Sequence, residues 1–235
     1  MFILIGCLFG IVAATIIIKH IAYNTSTYKK LTNNSYGAAM SDKGMSGEYG
    51  IYKYLKNYES VGCRFLFNLY LPRADGKTSE LDVVLITGGC VFVFESKNYS
   101  GWIFGSENQK TWTQVLPTGS GRGRSQKTRF YNPVLQNRTH CEVLKKLLPP
   151  DTVVHSVVLF ANRSTFKKVS VRSDDVSVAH HGDAAAVVSG FLNSGKTRPL
   201  DIEQIYSILY PYSQVSEETK RAHIYDASIN NRFHQ

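Results

Sequence analysis

The sequence predicts an α/β fold, with a mixed central sheet flanked by helices and preceded by one N-terminal transmembrane helix. Runs of β-branched and aromatic residues, typical of strands, alternate with segments whose apolar residues recur at helical spacing. The chain opens on an uncharged apolar run. Its 235 residues are 43% hydrophobic, enough for a substantial core, which excludes a disordered chain. It has no repeat of the length that solenoids and propellers require.

The opening run predicts a membrane anchor over residues 1–22. It carries no charge up to residue 18 and approaches the roughly 20 residues that span a bilayer. The alternative, a cleaved signal peptide, would need a preceding Lys or Arg and a small-residue cleavage site. Lys19, Lys29 and Lys30 follow the run, so the positive-inside rule places the remainder on the cytoplasmic side of a single-pass protein.

The overall charge predicts an anionic partner. Lys and Arg outnumber Asp and Glu by 27 to 18, which gives a net charge of +9 and admits either nucleic acid or a phospholipid surface.

Four scattered cysteines without a CxxC pair indicate neither a disulfide framework nor a zinc site, and they agree with a reducing compartment.

Two segments follow the predicted anchor. Residues 23–43 are rich in Asn, Ser, Thr and Gly and predict a polar tether, so we expect a soluble domain over residues 44–235. Near its start, apolar residues at i, i+3, i+4 and i+7 predict an amphipathic helix: Ile51, Tyr54, Leu55 and Tyr58. Glu48 lies three residues before this stripe begins, on the same inward face.

A predicted β-hairpin brings two carboxylates together. Two strand-like runs flank Gly88-Gly89, a pair typical of a two-residue turn, so the numbers of facing residues should sum to 177. Glu95 then faces Asp82, and Lys97 shares their face because side chains alternate along a strand.

Facing carboxylates repel each other, and the repulsion costs more when they are half buried. A divalent cation between them, with Lys97 beside it, would offset the repulsion and form a phosphodiesterase site. Simpler readings remain for each residue alone. Glu48 could complement a helix dipole, Asp82 could be a turn residue, and Glu95 with Lys97 could be an ordinary ion pair.

Further elements follow the hairpin. Short strands are predicted over residues 100–115, and a helix begins at Asn132-Pro133, with Gln136 and His140 on its core-facing side. Later strands and helices are predicted over 153–160, 174–180, 184–192, 202–209 and 216–229.

A loop over residues 117–130 carries four cations and no acidic residue: Arg122, Arg124, Lys127 and Arg129. It could contact a nucleic-acid backbone or simply be a solvated loop. Tyr99, Trp102 and Trp112 could stack on bases, but aromatic residues after a strand more often belong to a core.

Three motifs, in order, resemble the NERD (nuclease-related) domain of the PD-(D/E)xK nuclease superfamily: GEYGIYKYL, SELDVVLIT…GCVFVFESKNYSGWI and FYNPVLQN. The resemblance spans roughly residues 45–150 and implies a restriction-endonuclease-like core. Asp82, Glu95 and Lys97 then correspond to the D…ExK signature.

The resemblance also implies roles for three neighbours of the signature. Glu48 matches the carboxylate of the superfamily's N-terminal helix, Gln136 resembles its downstream helix glutamine, and Glu80 belongs to the E-hydrophobic-D element.

We therefore predict a membrane-anchored nuclease acting on nucleic acid, with DNA favoured. Mg²⁺ or Mn²⁺ would bind Asp82 and Glu95, assisted by Glu48, while Lys97 and Gln136 would complete the catalytic set. One alternative is a catalytically silent nucleic-acid-binding or signalling module at the membrane. Another is that the positive charge serves anionic lipids.

Overall fold

The computed structural model describes residues 2–117 and 125–232, with side chains described from residue 10 to 228. Arg122 and Arg124, two of the predicted nucleic-acid-binding residues, lie outside the described residues.

Eight α-helices and nine strands make up the described chain. The helices are α1 Phe2–Asn24, α2 Thr27–Thr32, α3 Tyr36–Ser41, α4 Lys43–Leu55, α5 Pro133–Lys145, α6 Ala184–Leu192, α7 Ile202–Ser213 and α8 Glu217–Arg232. The strands are β1 Arg64–Pro72, β2 Thr78–Ile86, β3 Val91–Lys97, β4 Gly101–Ser106, β5 Thr111–Pro117, β6 Ser125–Tyr131, β7 Val154–Phe160, β8 Ser164–Ser170 and β9 Val176–His180.

The strands form two mixed sheets. The first sheet has the order β1-β2-β3-β7-β9; β1, β2 and β3 are antiparallel, and β7 and β9 run parallel to β3. The second sheet has the order β6-β5-β4-β8, with only the β4–β8 pair parallel. This architecture confirms the predicted mixed α/β class and adds a second sheet that the sequence did not predict.

The predicted hairpin is present in the predicted register. Val83 faces Phe94 and Ile86 faces Val91, and each pair sums to 177. The Thr87 amide donates to the Cys90 carbonyl across 3.0 Å, which closes the turn at the glycine pair.

The first sheet is buried on both faces. One face packs under α4 and α6, and its core includes Val83, Leu85, Phe92 and Phe94. The other face packs against α5 and α7, and its core includes Val84, Ile86, Val91 and Val93. Because both faces are buried, the sequences of these strands are continuous apolar runs.

The segment predicted as a polar tether is folded against the first sheet. Ser26 and Ser35 cap α2 and α3 by accepting hydrogen bonds from backbone amides. The side chains of Tyr23 and Tyr28 are fully buried in the first core, and Tyr28 packs on Phe67 of β1. Tyrosines placed among polar residues therefore anchor this segment. The domain boundary at residue 44 stays a prediction, but residues before it already pack against the first sheet.

The N-terminal part of the predicted fold class is not supported. Helix α1 extends two residues beyond the predicted anchor, and its last turn packs on the domain through Tyr23, whose hydroxyl donates to the Asn34 carbonyl across 2.8 Å. Among the described residues, no helix has both the length and the apolar character that crossing a membrane requires.

Two local predictions also differ from the structure. Helix α4 begins at Lys43, capped by Asp42, and buries Tyr52, whereas Tyr54 of the predicted stripe is 45% exposed. The end of the predicted basic loop is strand β6, whose side chains are almost all exposed. Although its polar sequence predicts a loop, this strand pairs along its whole length with β5.

Candidate active site

The paired carboxylates lie where the first hairpin ends. Asp82 of β2 and Glu95 of β3 continue the register of the hairpin, and the Ser96 amide donates to Asp82 Oδ2 across 2.7 Å. Glu95 is 3% exposed. The backbone of β3 thus fixes both carboxylates beside each other, as the register predicts.

Lys97 joins this pair to helix α5. Its ammonium donates to Glu95 Oε1 across 2.6 Å and to Gln136 Oε1 across 3.2 Å. The start of α5 is fixed by Asn132, whose side chain accepts a hydrogen bond from the Val134 amide. The structure therefore brings together Glu95, Lys97 and Gln136, as the sequence predicted.

Helix α4 packs on the other face of the first sheet and places Glu48 near the paired carboxylates. Gly47 allows this close approach, because a Cβ atom there would clash with Ser96 Oγ. The Glu48 carboxylate is buried, and its Oε2 accepts a hydrogen bond from the Tyr28 hydroxyl across 3.0 Å. Glu48 is thus oriented by a residue that the sequence placed in a tether.

The three carboxylates differ in protonation because their neighbours differ. Burial, together with the charges of Glu95 and Glu48, raises the pKa of Asp82 well above its usual value. Burial would also raise the pKa of Glu95, but Lys97 and His140 lower it to about 2. Burial raises the pKa of Glu48 to about 7, against hydrogen bonds that lower it. Negative charge therefore concentrates on Glu95, and a further cation would favour ionised Asp82.

Sequence reasoning missed two positioning residues. His140 of α5 holds its Nε2 3.4 Å from Glu95 Oε2, while its Nδ1 shares a hydrogen bond of 2.6 Å with Ser79 Oγ. Its position one helical turn after Gln136 was the available signal. Tyr28 gave no signal, because its role depends on the packing of α2.

Asn68 marks a further irregularity beside the site. Its φ of 52° lies in the left-handed region, and pairing between β1 and β2 is interrupted there, opposite Asp82. Asn68 also lies close enough to Glu48 to lower the pKa of that carboxyl group. Backbone strain of this kind concentrates at functional sites.

The donor set partly fits the predicted cation. Mg²⁺ binds through one or two carboxylates and keeps several waters, which the Asp82–Glu95 pair can satisfy. Among the described residues, however, no group of three or more His, Cys, Asp or Glu side chains is arranged to hold a metal ion. Direct ligation by Glu48 stays a prediction, since one of its oxygens is engaged by Tyr28.

Four of the other predicted residues lie on the second sheet: Lys127, Arg129, Trp102 and Trp112. Lys127 and Arg129 are exposed on β6. Trp112 is fully buried and Tyr99 packs against the same core, whereas Trp102 is 38% exposed. The structure therefore assigns two of the three aromatic residues to packing.

Comparison with known proteins supports the motif resemblance. A family model described as the nuclease-related domain, NERD, matches residues 43–161, about half of the chain. An uncharacterized protein of Bacillus anthracis, pXO1-01, is 27% identical over 191 residues, which cover 81% of this chain and 85% of that protein. No solved structure matches the chain significantly.

Proposed function

Because the chain belongs to the nuclease-related domain (NERD) family, we propose that it hydrolyses phosphodiester bonds in nucleic acid with the help of a divalent cation. One observation carries the proposal: the buried Glu95 carboxylate lies beside Asp82 and accepts a hydrogen bond from Lys97 across 2.6 Å. Burying this charged group on the central strand of the first sheet is costly, and it suits a site built for cation-assisted chemistry.

Asp82 and Glu95 would hold the cation, which is Mg²⁺ or Mn²⁺ in this proposal. When bound, the cation supplies a Lewis acid that polarises the phosphoryl oxygen and makes water a stronger nucleophile at neutral pH. His140, whose Nε2 lies 3.4 Å from Glu95 Oε2, would help to orient that carboxylate.

Lys97 would act on the scissile phosphate. An ammonium has three N–H donors, and the contacts to Glu95 and Gln136 use two of them. The third can donate to a phosphate oxygen and stabilise the negative charge that develops there. Gln136 fixes the direction of the ammonium, and Glu48 would assist from α4.

DNA is the favoured substrate in this proposal, and the competing function is a silent module that binds nucleic acid without cleaving it. The purified full-length protein separates the two possibilities in a cleavage assay with labelled single-stranded DNA, duplex DNA and RNA. We expect cleavage that requires Mg²⁺ or Mn²⁺ and stops with EDTA.

Three variants sharpen this assay. Asp82→Asn, Glu95→Gln and Lys97→Ala should each lower the cleavage rate at least about a hundredfold, while Lys220→Ala on α8 serves as a control with an unchanged rate. Circular dichroism at matched concentration checks that each variant is folded. Folded variants that cleave like the wild type would refute the proposal, and metal-independent binding without turnover would favour the silent module.

We also propose, from the apolar sequence of residues 1–22, which carries no charge up to residue 18, attachment to a membrane with the remainder on the cytoplasmic side. Fractionation of cells that express the full-length chain tests this proposal. Recovery in the membrane fraction after a carbonate wash supports it, and release by the wash contradicts it.

A further inference from the structure

The second sheet has one face that its own core does not use. Partners across a ladder lie on the same face, so Trp102, Val115 and Lys127 form one row, and Phe104, Thr113 and Arg129 form the next. Lys168 of β8 faces Phe104 and extends the second row. Together with Lys167, these residues define what we name the outer face; the opposite face packs through Ile103, Trp112 and Phe166.

The outer face carries only positive charge. Strands β4, β5, β6 and β8 contain no Asp or Glu. The four cations of this face are exposed: Lys127, Arg129, Lys167 and Lys168. Within the described chain, none of them takes part in an ion pair. Unneutralised cations spread over a sheet complement the regular charges of a phosphate backbone.

An aromatic platform lies among these cations. Trp102 is 38% exposed, and the Lys167 ammonium lies 5.2 Å from the centroid of its ring. The facing Val115 is only 6% exposed and gives the indole an apolar support. An exposed indole beside a cation is a surface on which a nucleic-acid base can stack.

The platform is also close to the paired carboxylates along the chain. Trp102 follows Lys97 by five residues, and an extended chain covers at most about 3.6 Å per residue, so their Cα atoms lie within about 18 Å. Strand β8 leaves from the same edge, since the Ala161 amide donates to the Lys97 carbonyl across 3.0 Å. The outer face and the paired carboxylates therefore lie near each other.

We infer that the outer face binds single-stranded nucleic acid, with phosphates on the four cations and one base stacked on Trp102. This inference rests on the proposed nuclease function and names the form of its substrate: a single strand or an unpaired end. A duplex offers the same phosphates, but its bases are already stacked on one another. Trp102 therefore confers a preference for unpaired strands, whereas the cations do not.

Binding of a fluorescein-labelled 30-nucleotide single strand, measured by anisotropy in EDTA, tests the inference without cleavage. We expect Trp102→Ala to weaken binding of the single strand about tenfold and binding of the matching duplex less than twofold. Trp102→Phe should restore most of the loss because it keeps a ring. Lys167→Ala combined with Lys168→Ala should weaken both forms and flatten their dependence on salt.

Fluorescence gives a second readout. The chain has two tryptophans, so a Trp112→Phe variant leaves Trp102 as its single indole. The single strand should quench this fluorescence, and the duplex should leave it nearly unchanged.

Several outcomes would overturn the inference. The inference is wrong if Trp102→Ala binds the single strand as tightly as the wild type does, or if the single strand does not quench the fluorescence of Trp102. It is also wrong if the outer face binds lipids instead. The last is shown if the double lysine variant loses binding to vesicles of 30% phosphatidylserine but keeps binding to the single strand. Trp102-dependent binding without any metal-dependent cleavage would support the inference while refuting the proposed nuclease function.

Discussion

The first sheet is apolar on both faces and pairs its buried charges Glu95 and Lys97 with each other, whereas the second sheet leaves its charged side chains apart and exposed. In the first, Lys97 reaches Glu95 across 2.6 Å within a buried setting. In the second, Lys127 and Arg129 extend into solvent from an edge strand. Buried charges must be paired because desolvation is costly, while exposed like charges attract a distant anion. The same protein thus separates paired, buried charges from exposed charges that have no partner among the described residues.

The largest expected contrast between the sheets is in stability. Phe94→Ala removes a fully buried ring from the first core and should lower the free energy of unfolding by about 3–5 kcal/mol. Trp102→Ala on the outer face should cost less than about 1 kcal/mol, because its ring is already partly solvated. Urea denaturation of the two variants measures both values. Equal losses would show that the second sheet is as essential to the core as the first.

A smaller contrast is expected on acidification. Burial lowers the pKa of His155 in β7 to about 4, and burial does the same to His181 after β9. Below pH 6.5 these two side chains take up protons in the unfolded chain but not in the folded one. The stability that they contribute is therefore complete above pH 6.5 and falls towards pH 4.

His155→Gln removes one of these two titrating groups. We expect it to lose about 2 kcal/mol less stability than the wild type between pH 7 and pH 4.5, measured by urea denaturation at both pH values. Lys167→Ala on the second sheet is the matched control and should follow the wild-type profile, since it removes no imidazole. An equal loss of stability in His155→Gln and in the wild type between these pH values would contradict the prediction.

A modest stability effect should come from the contact between α4 and the first sheet. Gly47→Ala places a methyl group against Ser96 Oγ and should cost about 1–2 kcal/mol, with lower cleavage activity because Glu48 moves with the helix. Gly37→Ala is the control, since a Cβ atom there meets nothing within 4 Å. Thermal denaturation and the cleavage assay measure both variants. Unchanged activity in Gly47→Ala would separate Glu48 from catalysis.

The parts of the site that depend on local geometry could be predicted from the sequence. The glycine pair and the alternation of residues around it determine which side chains face each other. The shared face of Asp82, Glu95 and Lys97 could therefore be predicted from their positions in the sequence. The capped start of α5 similarly placed Gln136 on an inward face. These inferences need only neighbours within one hairpin or one helix.

The parts that depend on distant packing could not. Tyr28 lies in a segment whose composition is polar, and only its burial against Phe67 reveals that it orients Glu48. Strand β6 is exposed at nearly every position, so it shows none of the alternation that identifies a half-buried strand. Its extended form comes from pairing with β5 rather than from its own residues.

The two-residue turn at Gly88-Gly89 has a consequence for the order of folding. The hairpin it closes contains Asp82, Glu95 and Lys97, separated by at most 15 positions in the chain, and hairpins of this kind form in about 1–10 μs. Pairing of β3 with β7 requires closure of a loop of more than fifty residues and is slower. We therefore expect the carboxylates and their lysine to meet early, before the helix that carries Gln136 packs onto the sheet.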